Sequence, residues 1–281
     1  MIEAPGRFPG SRPPILSVRG VHKAFGEGVL FSGKRRAALD GVSFELPEEA
    51  GKVLAIVGES GSGKTTLARI ILRLVRADAG EVWVGGQPIV SSMAKPVGSR
   101  ALRRLVQPIF QNPFDTFSSQ VPLEEYLFRT AINLGDETVR RSPQPAVEEA
   151  LGQVGLSYGK VAGKGLHAFS GGELQRLSVA RALIAKPRLI VADEPVSMVD
   201  ASLRMTIVNL FRELSDRLGV AFLYITHDLT TACYLADMIA IMRNGALVEF
   251  GRAETTVNSP SADYTRALLE AIPTLGRRWN F

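Results

Sequence analysis

Along this chain, runs of uninterrupted apolar residues alternate with stretches in which apolar positions recur at helical spacing. Val53, Leu54, Ala55, Ile56 and Val57 form one such run, of strand length, as expected for a strand buried on both faces of a parallel sheet. Similar runs recur over 189–192 and 220–225. Helical periodicity marks 65–75, 173–185, 202–218 and 228–236. The alternation predicts an α/β fold, a mainly parallel sheet with helices on both faces. Two extended segments, 15–25 and 38–46, precede the first buried strand, with an exposed Gly/Lys/Arg loop over 26–36 between them. The stretch 95–165 is richer in Pro and Gly, with short helical patterns at 123–134 and 146–154, and reads as a helical insertion. A short helix is expected over 261–272. Residues 1–14, rich in Pro and Gly, read as a flexible tail and, lacking an apolar core, not as a secretory signal.

Composition narrows the class. Of 281 residues, 46% are hydrophobic, enough for a sizeable core. The net charge of +5 favours an acidic partner, and nucleic acid, nucleotide phosphates or an anionic membrane surface would each satisfy it. The one cysteine, Cys233, excludes an internal disulfide framework or a multi-cysteine metal site and fits a reduced compartment. No apolar run reaches the roughly 18–20 residues that a membrane span needs.

The candidate chemistry begins directly after the first buried strand. Gly58, Glu59, Ser60, Gly61, Ser62, Gly63, Lys64 and Thr65 fit the phosphate-loop pattern of Gly, four residues, Gly-Lys-Ser/Thr, with Thr66 next in the helix. The glycines let successive backbone N–H groups turn inward toward an anion, and the following helix adds its positive end. Lys64 can reach β- and γ-phosphates, and the Thr65 hydroxyl can ligate Mg²⁺. An ordinary Gly-rich turn is the plainer reading, but the buried strand before it and amphipathic helix after it are the context a nucleotide site requires. A kinase, GTPase or ATPase all remain open here.

The run 189–192 ends in Asp193 and Glu194, then Pro195. Ligands of such sheets sit at the carboxyl ends of strands, so Asp193 can hold Mg²⁺ through a water while Glu194 polarises an attacking water. Some twenty residues earlier, Ser170, Gly171, Gly172 and Glu173 open a helix, Ser170 as a plausible N-cap with a Gly pair that admits close backbone approach. Taken alone, each of these could be a solvated turn or a capped helix.

Together, and in this order, the phosphate loop, the Ser-Gly-Gly segment, the Asp193/Glu194 strand end and His227 resemble the ATP-binding cassette (ABC) ATPases over nearly all of residues 15–258. The resemblance implies a P-loop ABC ATPase core (15–258) with an antiparallel β subdomain and a helical subdomain at about 112–185, followed by a short extension (259–281). It implies that Gln111 contacts Mg²⁺ and senses the γ-phosphate and that His227 is the switch residue on that phosphate. Asp200, in the segment Ser197 to Asp200, would signal between two ATP sites, and Phe25 would stack on adenine. Glu173 stands where the family more commonly has Gln. His22 and His167 lack such support and read as structural. The family closes two cassettes head to tail, Ser170, Gly171 and Gly172 of one capping the phosphate held by the loop of the other.

Three classes compete: the ATPase subunit of a transporter, a soluble ABC ATPase of repair or assembly, and an unrelated P-loop kinase or GTPase. The last leaves the Ser-Gly-Gly segment and His227 unexplained. Repair members usually carry long insertions and translation members two cassettes, neither of which fits 281 residues and one cysteine. The segments 111–117, 193–204 and 264–273 further resemble the second ATPase of the oligopeptide/dipeptide/nickel permease family. That implies an importer subunit using ATP and Mg²⁺ at the cytoplasmic face of the inner membrane. Its partners would be two membrane-spanning permease chains, a second and non-identical ATPase, and an extracytoplasmic solute-binding protein, with no nucleic acid. The helical insertion would dock the membrane chains, Phe114 and Phe117 serving as anchors.

Overall fold

The computed structural model describes residues 13–26, 35–48, 52–117 and 120–271. In chain order its elements are β1 (Leu16–Gly26), β2 (Arg35–Leu46), β3 (Val53–Val57), α1 (Lys64–Ile71), β4 (Ala79–Val84) and β5 (Gln87–Val90). Then come α2 (Ser99–Leu105), β6 (Val106–Ile109), α3 (Leu123–Leu134), α4 (Glu137–Arg141), α5 (Gln144–Gln153), α6 (Tyr158–Val161), α7 (Gly171–Ile184), β7 (Leu189–Asp193) and α8 (Ala201–Leu218). The chain continues through β8 (Ala221–Thr226), α9 (Leu229–Leu235), β9 (Met238–Arg243), β10 (Ala246–Arg252), α10 (Ala253–Asn258) and α11 (Asp263–Glu270). Two compact units result, one from the described residues up to Val97 and from Leu223 onward, the other from Gly98–Phe222.

The first unit holds an antiparallel sheet in the order β2-β1-β4-β5. Its inner face is set by Leu16, Val18, Val21, Leu39, Val42, Leu46, Val82 and Val84, all buried, while polar neighbours such as Arg19 and Glu45 pair on the outside. The same unit carries β3, whose five residues are wholly buried and which pairs in parallel with β9, itself antiparallel to β10. Asp237 sets the start of β3 by accepting the backbone N–H groups of Lys52 (2.8 Å) and Val53 (2.9 Å).

Helix α1 stops at Ile71, four residues before the apolar spacing runs out. Arg73 adopts φ 55°, and the N–H groups of Arg73 and Leu74 return to the carbonyls of Ile70 and Arg69 at 2.9 and 2.8 Å. This is a Schellman closure with arginine where glycine is usual, so no glycine announced the stop. At the far end, α11 covers Asp263–Glu270, inside the expected 261–272; Ile272 and residues 1–12 lie outside the described residues.

In the second unit α7 is the central element, buried at Leu174, Leu177, Val179, Ala180, Ala182 and Leu183 and packed by α3 and α5. Strands β6 and β7 run parallel, with Val106 opposite Leu189 and Ile109 opposite Ala192. That register brings the residues after both strands to the same edge.

Candidate active site

The phosphate loop leaves the carboxyl end of β3 and enters α1 at Lys64. Gly63 has φ 104°, in the left-handed region, and a Cβ there would stand 2.5 Å from the Ala38 carbonyl oxygen, so both conformation and space demand glycine. Lys64 is only 6% exposed. Its Nζ donates to the Gly58 carbonyl (2.7 Å), the Glu59 carbonyl (2.8 Å) and Ser62 Oγ (3.3 Å), so the charge is held within the loop. The β9–β10 turn braces the loop from behind, Gly245 donating its N–H to the Ser62 carbonyl at 3.0 Å. Tyr264 of α11 stacks its ring 4.6 Å from the Arg243 guanidinium. Burial, with the Glu59 carboxylate nearby, pushes the Tyr264 phenol above its usual pKa.

His227 follows β8 in the same unit and is exposed. Its surroundings are fixed by Asp228, which donates its N–H to Thr226 Oγ1 (2.9 Å) and caps α9 by accepting from the N–H groups of Thr230 (2.9 Å) and Thr231 (3.3 Å). Phe25 is 45% exposed at the end of β1, with the Lys23 ammonium 5.3 Å from its ring centroid. His22 Nδ1 lies 3.3 Å from an Asp40 carboxylate oxygen, and His167 is exposed.

In the second unit the β6–β7 register places Gln111 against Glu194, Gln111 Nε2 donating to Glu194 Oε2 at 3.1 Å. Glu194 has φ 47°, a conformation that few non-glycine residues adopt. Ser197 stabilises the turn, its N–H and hydroxyl both donating to the Glu194 carbonyl at 3.2 and 2.9 Å. Asp193 and Glu194 are half-buried; Asp200 is exposed ahead of α8.

Ser170 caps α7 as its spacing suggested. Its Oγ accepts the Glu173 N–H at 3.3 Å, while the Glu173 carboxylate accepts the Ser170 N–H at 2.9 Å, a reciprocal capping box. Glu173 also pairs with Lys160. That pair, then the Ser170 N–H, hold Glu173 down to a pKa of about 2. Gly171 is half-buried and Gly172 buried, a Cβ on Gly172 meeting Leu203 Cδ1 at 3.1 Å.

One expectation needs correction. Phe114 is 44% exposed and available for docking, whereas Phe117 is 3% exposed and packs edge-on against Tyr126 at 5.5 Å. Phe117 is therefore a core residue and no anchor. No local spacing signals the roles of Lys160, Asp237 and Gly245, which are pairings with residues distant in sequence.

A buried strand feeding a glycine-requiring loop and helix, in an α/β chain with Gln111 and Glu194 joined at parallel strand ends, defines a P-loop nucleoside triphosphatase. The chain belongs to the ABC transporter family, whose model matches residues 39–197. It is an ATPase of that family. It is 38% identical, over 93% of its length and 79% of the relative's, to a Brucella ovis chain provisionally named a peptide import ATP-binding protein. It is 36% identical to the oligopeptide transport ATP-binding protein AppF of Bacillus subtilis, over 94% of this chain and 80% of that one. It is 35% identical to the dipeptide transport ATP-binding protein DppF of Haemophilus influenzae, over 93% and 79%. The fold matches cbiO1 of Clostridium perfringens, described as part of the ABC transporter complex cbiONQ, with a TM-score of 0.72 at 23% identity over 92% of this chain and 96% of that one.

Proposed function

We propose that this chain is the ATP-hydrolysing subunit of an importer for peptides or related small solutes, acting at the cytoplasmic face of the membrane through separate membrane-spanning chains. The hydrogen bond between Gln111 and Glu194 is the observation that carries the chemistry. Similarity along more than nine-tenths of the chain to subunits named for peptide, oligopeptide and dipeptide transport supports the cargo class. Among the described residues no helix is long and apolar enough to cross a membrane, in keeping with spans carried by other chains.

In this reading the N–H groups of 58–65, the positive end of α1 and Lys64 bind the β- and γ-phosphates of ATP. Phe25 stacks on the adenine. Thr65, Gln111 and Asp193 offer only hard oxygen donors, the set that suits Mg²⁺, and Gln111 spends its amide nitrogen on Glu194, so its carbonyl oxygen is the atom it can offer a cation. Mg²⁺, when bound, neutralises phosphate charge. Glu194, oriented by Gln111 and the Ser197 clasp, takes the proton of the attacking water, and His227 donates to the γ-phosphate. A second cassette, non-identical in our reading, presents its own signature segment; here Ser170, Gly171 and Gly172 cap the partner's phosphate and Asp200 links the two sites. An extracytoplasmic binding protein delivers the solute.

Tagging the full chain, co-expressing it with its genomic neighbours and identifying the detergent-extracted partners by mass spectrometry tests the assignment. Two multi-span chains and a second ATPase are expected. Recovery of soluble partners or nucleic acid alone would contradict it.

A further inference from the structure

Glu173 places a negative charge at the start of α7, at the third position of its capping box. A carboxylate in the first turn of a helix stabilises the helix itself, because it faces the positive end of the dipole. The same charge repels any second anion brought to that helix start. Glu173 also engages the local donors, accepting from the Ser170 N–H (2.9 Å) and from Ser170 Oγ (3.2 Å). An anion offered to Ser170, Gly171 and Gly172 therefore meets a negative charge that a glutamine would not present.

The fold supplies a counter-charge from elsewhere in the same unit. Lys160 lies on α6, thirteen residues before Glu173, and its ammonium pairs with Glu173 Oε1. The short α6 is held in place by Tyr158, whose hydroxyl donates to Glu124 Oε2 at 2.9 Å and whose ring meets Phe128 edge-on at 5.9 Å. Lys160 itself is 46% exposed, so its charge faces outward as well as toward Glu173. The capping box itself does not require the lysine, since it closes between Ser170 and Glu173.

We propose that Lys160 is a positioning residue for the Ser170–Gly172 segment, balancing the charge of Glu173 so that this helix start accepts a phosphate presented by a second cassette. The inference rests on the proposed role of that segment. It makes Lys160 and Glu173 a matched pair in which one residue is needed only because of the other.

The test compares the full chain, purified with its partner chains, as wild type, Lys160→Met, Lys160→Arg and Lys160→Met combined with Glu173→Gln, with Glu194→Gln as control. The readouts are steady-state ATPase rate, binding of a fluorescent ATP analogue and melting temperature. Lys160→Met should lower the ATPase rate on the order of ten-fold with analogue binding retained, since the lost charge acts across the interface and not on the chain's own phosphate loop. Lys160→Arg should keep the rate, and adding Glu173→Gln should recover most of it. A double variant as slow as Lys160→Met, or a Lys160→Met variant at wild-type rate, would overturn the pairing. A Glu194→Gln control that hydrolyses normally would instead overturn the ATPase reading itself, so the two failures are distinguishable.

Discussion

Gln111 and Glu194, eighty-three residues apart, are joined by a hydrogen bond of 3.1 Å from the Gln111 amide nitrogen to Glu194 Oε2. The bond exists because β6 and β7 run parallel with Ile109 opposite Ala192, so the residues that follow each strand share an edge. It orients the carboxylate that the account assigns to water activation. Gln111→Ala should therefore reduce kcat by about ten-fold or more, as loss of an orienting partner of a general base does. Steady-state ATPase assays check this, and an unaltered kcat would separate Gln111 from the chemistry.

Lys64 is buried and places its ammonium on three oxygens of its own loop. In the proposed reading the same ammonium exchanges those neutral acceptors for the charged phosphate oxygens of ATP, which are stronger partners. Lys64→Ala should weaken ATP binding on the order of a hundred-fold, the scale of a lost close charge pair. Titration with a fluorescent ATP analogue measures it; unchanged affinity would refute the loop's assignment.

The Glu173 carboxyl, held at about 2 by Lys160 and the Ser170 N–H against an ordinary value of 4.5, links folding to acid. A carboxyl depressed in the folded chain stabilises it above the unfolded pKa, and this contribution fades as pH falls from about 4.5 through about 2. Glu173→Gln should therefore lose less stability between pH 7 and pH 3 than the wild type does. Denaturant melts at both pH values provide the comparison, and identical losses would count against the pair as a stabilising contact.

Two phenylalanines three positions apart have opposite fates. Phe117→Ala should destabilise the chain by about 3–5 kcal/mol, the cost of truncating a buried aromatic ring. Phe114→Ala, at an exposed position, should leave the denaturation midpoint near wild type while lowering transport relative to ATP hydrolysis. A drop in midpoint for Phe114→Ala, or coupled transport at the wild-type ratio, would contradict its role as a docking anchor.

Much of this architecture was legible because its signals are local. The five-residue apolar run of β3, the glycines and lysine after it, and the Ser170–Glu173 spacing each encode their own geometry within a few residues. Helix α3 falls on the 123–134 predicted from periodicity. What stayed hidden depends on partners far along the chain. Strands β4 and β5 carry no long apolar run, and the stop of α1 uses Arg73 in a glycine's conformation. Phe114 and Phe117 look alike in sequence, yet only Phe117 is buried, with Tyr126 packed edge-on against it. The Lys160–Glu173 pair likewise depends on how α6 is anchored on α3 by Tyr158.

Glu194 is assigned to water activation in ATP hydrolysis, and Glu194→Gln isolates that role, because the substitution keeps the shape of the side chain and removes its basicity. Purified with the second ATPase chain, incubated with Mg·ATP and run on gel filtration, the Glu194→Gln chain should have lost hydrolysis at its own site by on the order of a hundred-fold or more and should persist in an ATP-closed dimer with that chain. A Glu194→Gln chain that hydrolyses ATP at the wild-type rate and leaves no stable dimer would contradict the account.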